Sequence, residues 1–172
     1  MIFKHNTGGM LLKAEYVNSF IKSSIDIIQQ VCGLYPKLGK VYLKDSPFSA
    51  EQIIVIIGVT GDIRGQVQLN MSKDTARSVV SSMMGGMAID QLNDMAKSAL
   101  GELGNMIMGN TCTLLARNGT RIDITPPTVL SGDGMEISNK TKTICIPLIL
   151  GEYGSVEIGI STVADDLQQK SG

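Results

Sequence analysis

The sequence contains no tryptophan, and aromatic residues make up only 4% of its 172 positions. A core with so few rings must be assembled mainly from Ile, Val, Leu and the ten methionines. Histidine occurs once, as His5 in MIFKHNTGGM, ahead of the first periodic segment; a lone residue at a chain terminus rarely meets the geometric demands of a site. Cysteine is scarce and odd in number. Cys32, Cys112 and Cys145 are too far apart for a zinc site and form no disulfide framework, so they are expected to be buried thiols.

Charge of one sign is missing as well. The formal net charge is -1, the pI is about 5.8 and no block of Lys or Arg occurs, which removes the electrostatic footprint of a nucleic-acid binder. The best apolar run, IIVIIGV, is far short of a membrane span, and no N-terminal segment joins a basic region to a long apolar stretch. A soluble, cytoplasmic protein without nucleic-acid or membrane partners is the expectation.

What is present is globular composition, 43% hydrophobic and 18% charged, in a length that suits one domain. The expected division is a tail over 1–12, a domain over 13–163 and a polar tail, ADDLQQKSG, over 164–172. Translation could begin at Met1 or Met10.

EYVNSFIKSSIDIIQQVCG repeats apolar residues at helical spacing, with Val17, Phe20, Ile21, Ser24, Ile28 and Val31 on one face. Gly33 and Pro36 stop that helix. A short extended piece follows near KVYLKD, and QIIVIIGVT and GQVQLNMS read as two strands joined through GDIRG. Ser72 suits the N-cap of a helix over KDTARSVVSSMM, with Asp74 in its first turn and Gly85 and Gly86 ending it. Asp90 is placed to cap the next helix, which runs to about Ala116. Extended segments follow in RIDITPPTVL, MEISNKTKTICIPLIL and GSVEIGIST.

The two halves resemble each other. VTGDIRGQVQLNMS and LGEYGSVEIGIST are both hairpins with glycines at the turn, each preceded by a long amphipathic helix. Pairing Val17 with Ala96, Phe20 with Ala99, Ile21 with Leu100, Ser24 with Leu103 and Ile28 with Ile107 superimposes the core stripes. The fold class is therefore α+β: one domain with a mainly antiparallel sheet, long helices packed on one face, and a pseudo-two-fold helix-plus-hairpin repeat. ICIPLIL does not alternate, and its Pro147 favours an edge or interrupted position.

The second long helix spends Gly101, Gly104 and Gly109 inside SALGELGNMIMGN, each at about 1 kcal/mol relative to alanine. Its apolar stripe is Ala96, Ala99, Leu100, Leu103, Ile107 and Leu114; opposite stand Ser98, Glu102, Asn105 and Gly109. A carboxylate and a carboxamide thus project side by side. Gly101 and Gly104 flank the row and are read as room for a partner's close approach. Asp62 and Glu152 read as turn residues, and Met83, Met84 and Met87 as core filling around the glycines, with a partner-binding methionine surface as the alternative.

Ser98-x-x-x-Glu102-x-x-Asn105, set in MAKSALGELGNMIMGN, resembles the signature of the CheC/CheX/FliY family of bacterial chemotaxis phosphatases. IGVTGDIRGQVQLNMS followed by MMGGM is similar to the CheX branch, and the likeness runs from about Lys13 to Ser161. Pro126 and Pro127 stand slightly early for the proline that the family's signature carries. The first helix has Ser23 and Asp26 at the positions paired with Glu102 and Asn105, which gives one active face per chain.

The resemblance implies hydrolysis of the aspartyl phosphate on a CheY-like response regulator. Glu102 and Asn105 would be catalytic: Asn105 would orient the attacking water and Glu102 would pair with a lysine of the regulator. Ser98, Gly101, Gly104 and Gly109 would meet the partner. No cofactor or metal of its own is implied; Mg2+ is expected in the partner's receiver domain. The resemblance also implies a homodimer through sheet edges. A non-catalytic regulator-binding or flagellar-switch-type module is the alternative, and an enzyme of small molecules is the weakest reading because no nucleophile–base pair or metal cluster is visible.

Overall fold

The structure, a computed structural model, describes residues 12–163. His5, Met1, Met10 and the expected tails, apart from Leu12, lie outside the described residues.

Helix α1 spans Ala14–Cys32 and buries Val17, Phe20, Ile21, Ser24 and Ile28, as its spacing requires. It ends at Gly33, whose φ of +65° suits glycine and whose N–H reaches the Gln29 carbonyl at 3.0 Å. Four strands follow: β1 Lys37–Leu38, β2 Tyr42–Lys44, β3 Phe48–Ser49 and β4 Ile53–Gly61; β5, Gly65–Met71, completes the first hairpin. Helix α2, Lys73–Met83, is capped as expected, with the Ser72 hydroxyl accepting from the Thr75 N–H at 3.1 Å. Helix α3, Asp94–Arg117, is capped by Asn93 instead of Asp90: the Asn93 side chain accepts from the Ala96 N–H at 2.9 Å. Asp90 lies three residues too early, in the extended link from α2. The chain then forms β6 Ile122–Ile124, β7 Thr128–Ser131, β8 Glu136–Ile137 and β9 Thr143–Ile149, makes one 3-10 turn at Gly151–Tyr153, and closes with β10, Ser155–Thr162.

All strand pairings are antiparallel. The two hairpins meet at the centre of one sheet, where β5 pairs β10. The outer side of β4 carries β6 and β7, and the outer side of β9 carries β1 and β2. Each long helix is thus followed by a broken strand that joins the hairpin of the other half, which gives the expected internal two-fold its physical form. Val55, Ile57, Val67, Leu69, Ile144, Ile146 and Ile158 share a core with Phe20, Ile21, Val79, Leu100, Leu103 and Ile107 of the helices.

The repeat register, however, differs by one residue from the pairing of core stripes. Burial coincides when Phe20 is matched with Leu100, Ile21 with Gly101, Ser23 with Leu103, Ser24 with Gly104 and Ile28 with Met108, all buried. The α1 counterparts of Glu102 and Asn105 are then Lys22 and Ile25, not Ser23 and Asp26. Hydropathy misaligned the helices because Gly101, Gly104 and Ser23 are buried without being strongly apolar.

Strand β9 is not an edge. It has β10 on one side and β1 and β2 on the other, so it offers no free backbone to a second chain. Pro147 falls at the interruption: β1 pairs with Leu148 and Ile149, β2 with Thr143, Ile144 and Cys145, and only the Gly39 N–H reaches the Pro147 carbonyl, at 2.8 Å. Both faces of β9 are covered, which accounts for its lack of alternation. Ile144, Ile146 and Leu148 face the helices, while Cys145 is buried behind the sheet. There the Asn139 side chain, just beyond β8, donates to the hydroxyls of Thr143 and Ser161 at 3.0 and 2.9 Å.

Candidate functional site on helix α3

Helix α3 tolerates its glycines because two neighbours hold it. On one flank it lies close against the sheet. A Cβ on Gly104 would stand 3.1 Å from both the Val55 and Ile57 side chains, and one on Gly101 would stand 3.4 Å from Pro127. Both glycines are buried, so their position corrects the reading that they clear space for a partner: they clear space for β4 and for the break between β6 and β7. Pro127 therefore has a packing role behind the site. On the other flank the buried Ser23 hydroxyl donates to the Ile107 carbonyl at 2.6 Å and ties α1 to α3.

With its back fixed in this way, α3 presents Ser98, Glu102, Asn105 and Gly109 on its open side, all exposed. Residues three or four apart on a helix have Cβ atoms about 5–6 Å from each other, so the carboxylate and carboxamide can act on one small target. No ion pair among the described residues involves Glu102, whereas Asp26, Asp45, Asp74, Asp133 and Glu157 each hold a cation. Gly109 has nothing within 4 Å of the position a Cβ would take. It is the one glycine of the three that leaves open space on this face.

The row continues at its N-terminal end into an exposed apolar residue that hydropathy at helical spacing did not single out: Met95, 52% exposed one turn before Ser98. Met87, expected to fill the core, is instead 57% exposed in the link from α2. Met83 and Met84 are half-buried. The signal for Met95 was its position, seven residues before Glu102 and hence on the same side of the helix.

The remaining candidates are structural. Asp62 accepts from the Arg121 N–H at 2.7 Å and fastens the β4–β5 turn to the segment after α3; Glu152 is exposed in the 3-10 turn. Cys32 and Cys145 are buried and Cys112 is half-buried, and all three are free thiols. Burial pushes Cys32 up to about 11 and Cys145 up to about 12. Among the described residues no group of three or more His, Cys, Asp or Glu is placed to hold a metal ion, and no helix is long and apolar enough to cross a membrane.

The family model of chemotaxis phosphatase CheX matches residues 53–148, a span that contains the whole of α3. The chain belongs to the CheX family. A curated member, the CheY-P phosphatase CheX of Thermotoga maritima, is 39% identical over 137 residues, covering 80% of this chain and 88% of that protein. Among solved structures, CheX from Desulfovibrio desulfuricans matches with a TM-score of 0.78 at 26% identity, over 87% of this chain and 99% of its own. A CheX–CheY–BeF3–Mg2+ complex from Borrelia burgdorferi matches with a TM-score of 0.77 at 28% identity, over 88% of this chain and 100% of its own. The CheX-like fold thus extends over nearly nine-tenths of the chain.

Proposed function

We propose that this chain hydrolyses the aspartyl phosphate of a CheY-like response regulator in the cytoplasm, using the open face of α3. The observation that carries the reading is the pairing of exposed Glu102 and Asn105 on a helix locked from behind, within a chain of the CheX family. The Thermotoga relative is named for this activity, and the Borrelia relative was solved with CheY.

The chemistry asks little of the chain beyond placement. An acyl phosphate is a reactive phosphoryl donor, and its transfer is governed by positioning and charge stabilisation. Water attacks phosphorus, the bond to the aspartyl oxygen breaks, and the carboxylate and inorganic phosphate leave. The Asn105 carboxamide can both donate to and accept from that water, which fixes its lone pair towards phosphorus. Glu102 pairs with a lysine of the regulator and sets the register of docking; Ser98 adds a hydrogen bond at the rim, and Gly109 lets the regulator's backbone come close. Mg2+ belongs to the regulator in this reading, where it neutralises the phosphoryl oxygens.

The test is loss of phosphate from a Mg2+-loaded CheY-type receiver labelled on its aspartate. Acceleration by the wild-type chain that vanishes in Asn105→Ala is expected. Unchanged decay in the presence of a bound receiver would favour the second reading, a regulator-binding module of the flagellar-switch type.

A homodimer through the sheet edges is part of the same proposal, now built on β1 in place of β9. Tyr35, 79% exposed, and Ile149 give that end of the sheet an apolar border. Light scattering should return twice the chain mass at micromolar concentration; a clean monomer would remove the dimer.

A further inference from the structure

Behind the sheet, on the side away from α3, lies a cavity of about 290 Å³ that the reaction does not use. Tyr42, Lys44, Phe48, Asn70, Ser155 and Glu157 are among its walls, and the exposed Glu51 stands at its rim. Asn70 projects from β5 and is only 4% exposed, yet its Oδ1 has no hydrogen-bond partner among the described residues. Leaving such an acceptor buried and unpaired is costly, and a donor entering the cavity would relieve it.

The charges in the cavity say what the missing partner is. Lys44 is the one cation of the wall, and it is already held by Glu157, with Nζ 2.8 Å from Oε1 and 5.1 Å from the centre of the Phe48 ring. The Tyr42 hydroxyl donates to the other oxygen of Glu157. Burial and that carboxylate push Tyr42 up to about 12, so it stays a donor. An anion would find no free cation. A donor finds the Asn70 Oδ1, spare lone pairs on Glu157, and a second carboxylate at Glu51, leaving one uncompensated negative charge. The volume is at the small end of ligand sites.

We infer that this cavity binds a small aliphatic ammonium compound, whose N–H groups donate to Asn70 Oδ1 and Glu157 while Glu51 supplies the balancing charge at the mouth. The site is separate from α3 and does not depend on the proposed phosphatase activity.

The probe is n-butylammonium, whose single charge matches the one uncompensated carboxylate, titrated calorimetrically into the full chain, with butyrate as the anionic counterpart. Saturable binding of butylammonium alone is expected, weakened at least tenfold in both Glu51→Gln and Asn70→Leu. Asn70→Leu should melt no lower than wild type, because an apolar side chain of similar shape removes an unpaired acceptor. No saturable heat at millimolar butylammonium, equal binding of butyrate, or binding that neither variant weakens would each overturn the assignment. A dimer that Asn70→Leu dissociates would also overturn it, by giving the cavity to a basic side chain of a second copy.

Discussion

Replacing Gly109 by alanine separates a face that meets only water from one that meets a partner. Gly109 lies inside α3, does not have a positive φ, and has nothing within 4 Å of the position a Cβ would take. The methyl group should therefore add helix propensity at no steric cost, about 1 kcal/mol. For a chain of this length that raises the melting temperature by about 2–4 °C. If a receiver's backbone packs against the same spot, an added methyl there costs about 1–3 kcal/mol, and 1.4 kcal/mol is tenfold. Gly109→Ala should thus be more stable and about tenfold weaker in kcat/KM for receiver dephosphorylation. A higher melting temperature with unchanged kcat/KM would refute the placement of the partner. Gly104→Ala is the counterpart: its Cβ would crowd Val55 and Ile57 at 3.1 Å, so overpacking outweighs propensity and the net effect is a loss of zero to about 2 kcal/mol.

Asn105→Ala should cost about 10²-fold or more in kcat, the scale for removing one preorganised hydrogen-bonding group, while leaving the melting temperature within about 1–2 °C. Glu102→Gln should instead act chiefly on KM; an equal loss in kcat with KM unchanged would show that its charge is used in the transition state. Ser23→Ala removes a buried donor from the Ile107 carbonyl, which keeps a second bond from Thr111 at 2.9 Å, so about 1 kcal/mol and 2–4 °C should be lost with activity retained; urea titration measures it. Cys32 and Cys145 hold their protons in the folded chain to about 11 and 12, against 9.0 when unfolded. Their contribution is complete below pH 9 and is lost as pH rises towards 11–12, so the melting temperature should be flat up to about pH 9 and fall above it. A flat profile to pH 11 would count against their burial.

The long helices, both hairpins and the Ser72 cap were legible because each rests on local signals that tertiary context reinforces: helical spacing, glycine at turns, a hydroxyl before a polar first turn. Three features were not. The β3–β8 ribbon consists of two-residue strands, too short to show any period. The cover on β9 comes from β1 and β2, pieces of two and three residues about a hundred positions earlier, and nothing local to ICIPLIL reports them. At the site, Glu102 and Asn105 lie where helical spacing puts them, but Gly101 and Gly104 were assigned to the wrong side. Glycine has no hydropathy with which to declare a face, and the buried arc of α3 is wide because it touches both the sheet and α1.

The shifted repeat register sets a stoichiometry. The position on α1 that corresponds to Glu102 is Lys22, a charge of opposite sign tied to Asp26 at 2.8 Å, and the one that corresponds to Asn105 is Ile25. On the proposed reading, a receiver whose docking lysine seeks a carboxylate would meet like charge on α1 and find no amide beside it. A chain with two matching faces could bridge two receivers at once; on the same reading this one would take its substrates singly, so titration of receiver against chain should end at one to one.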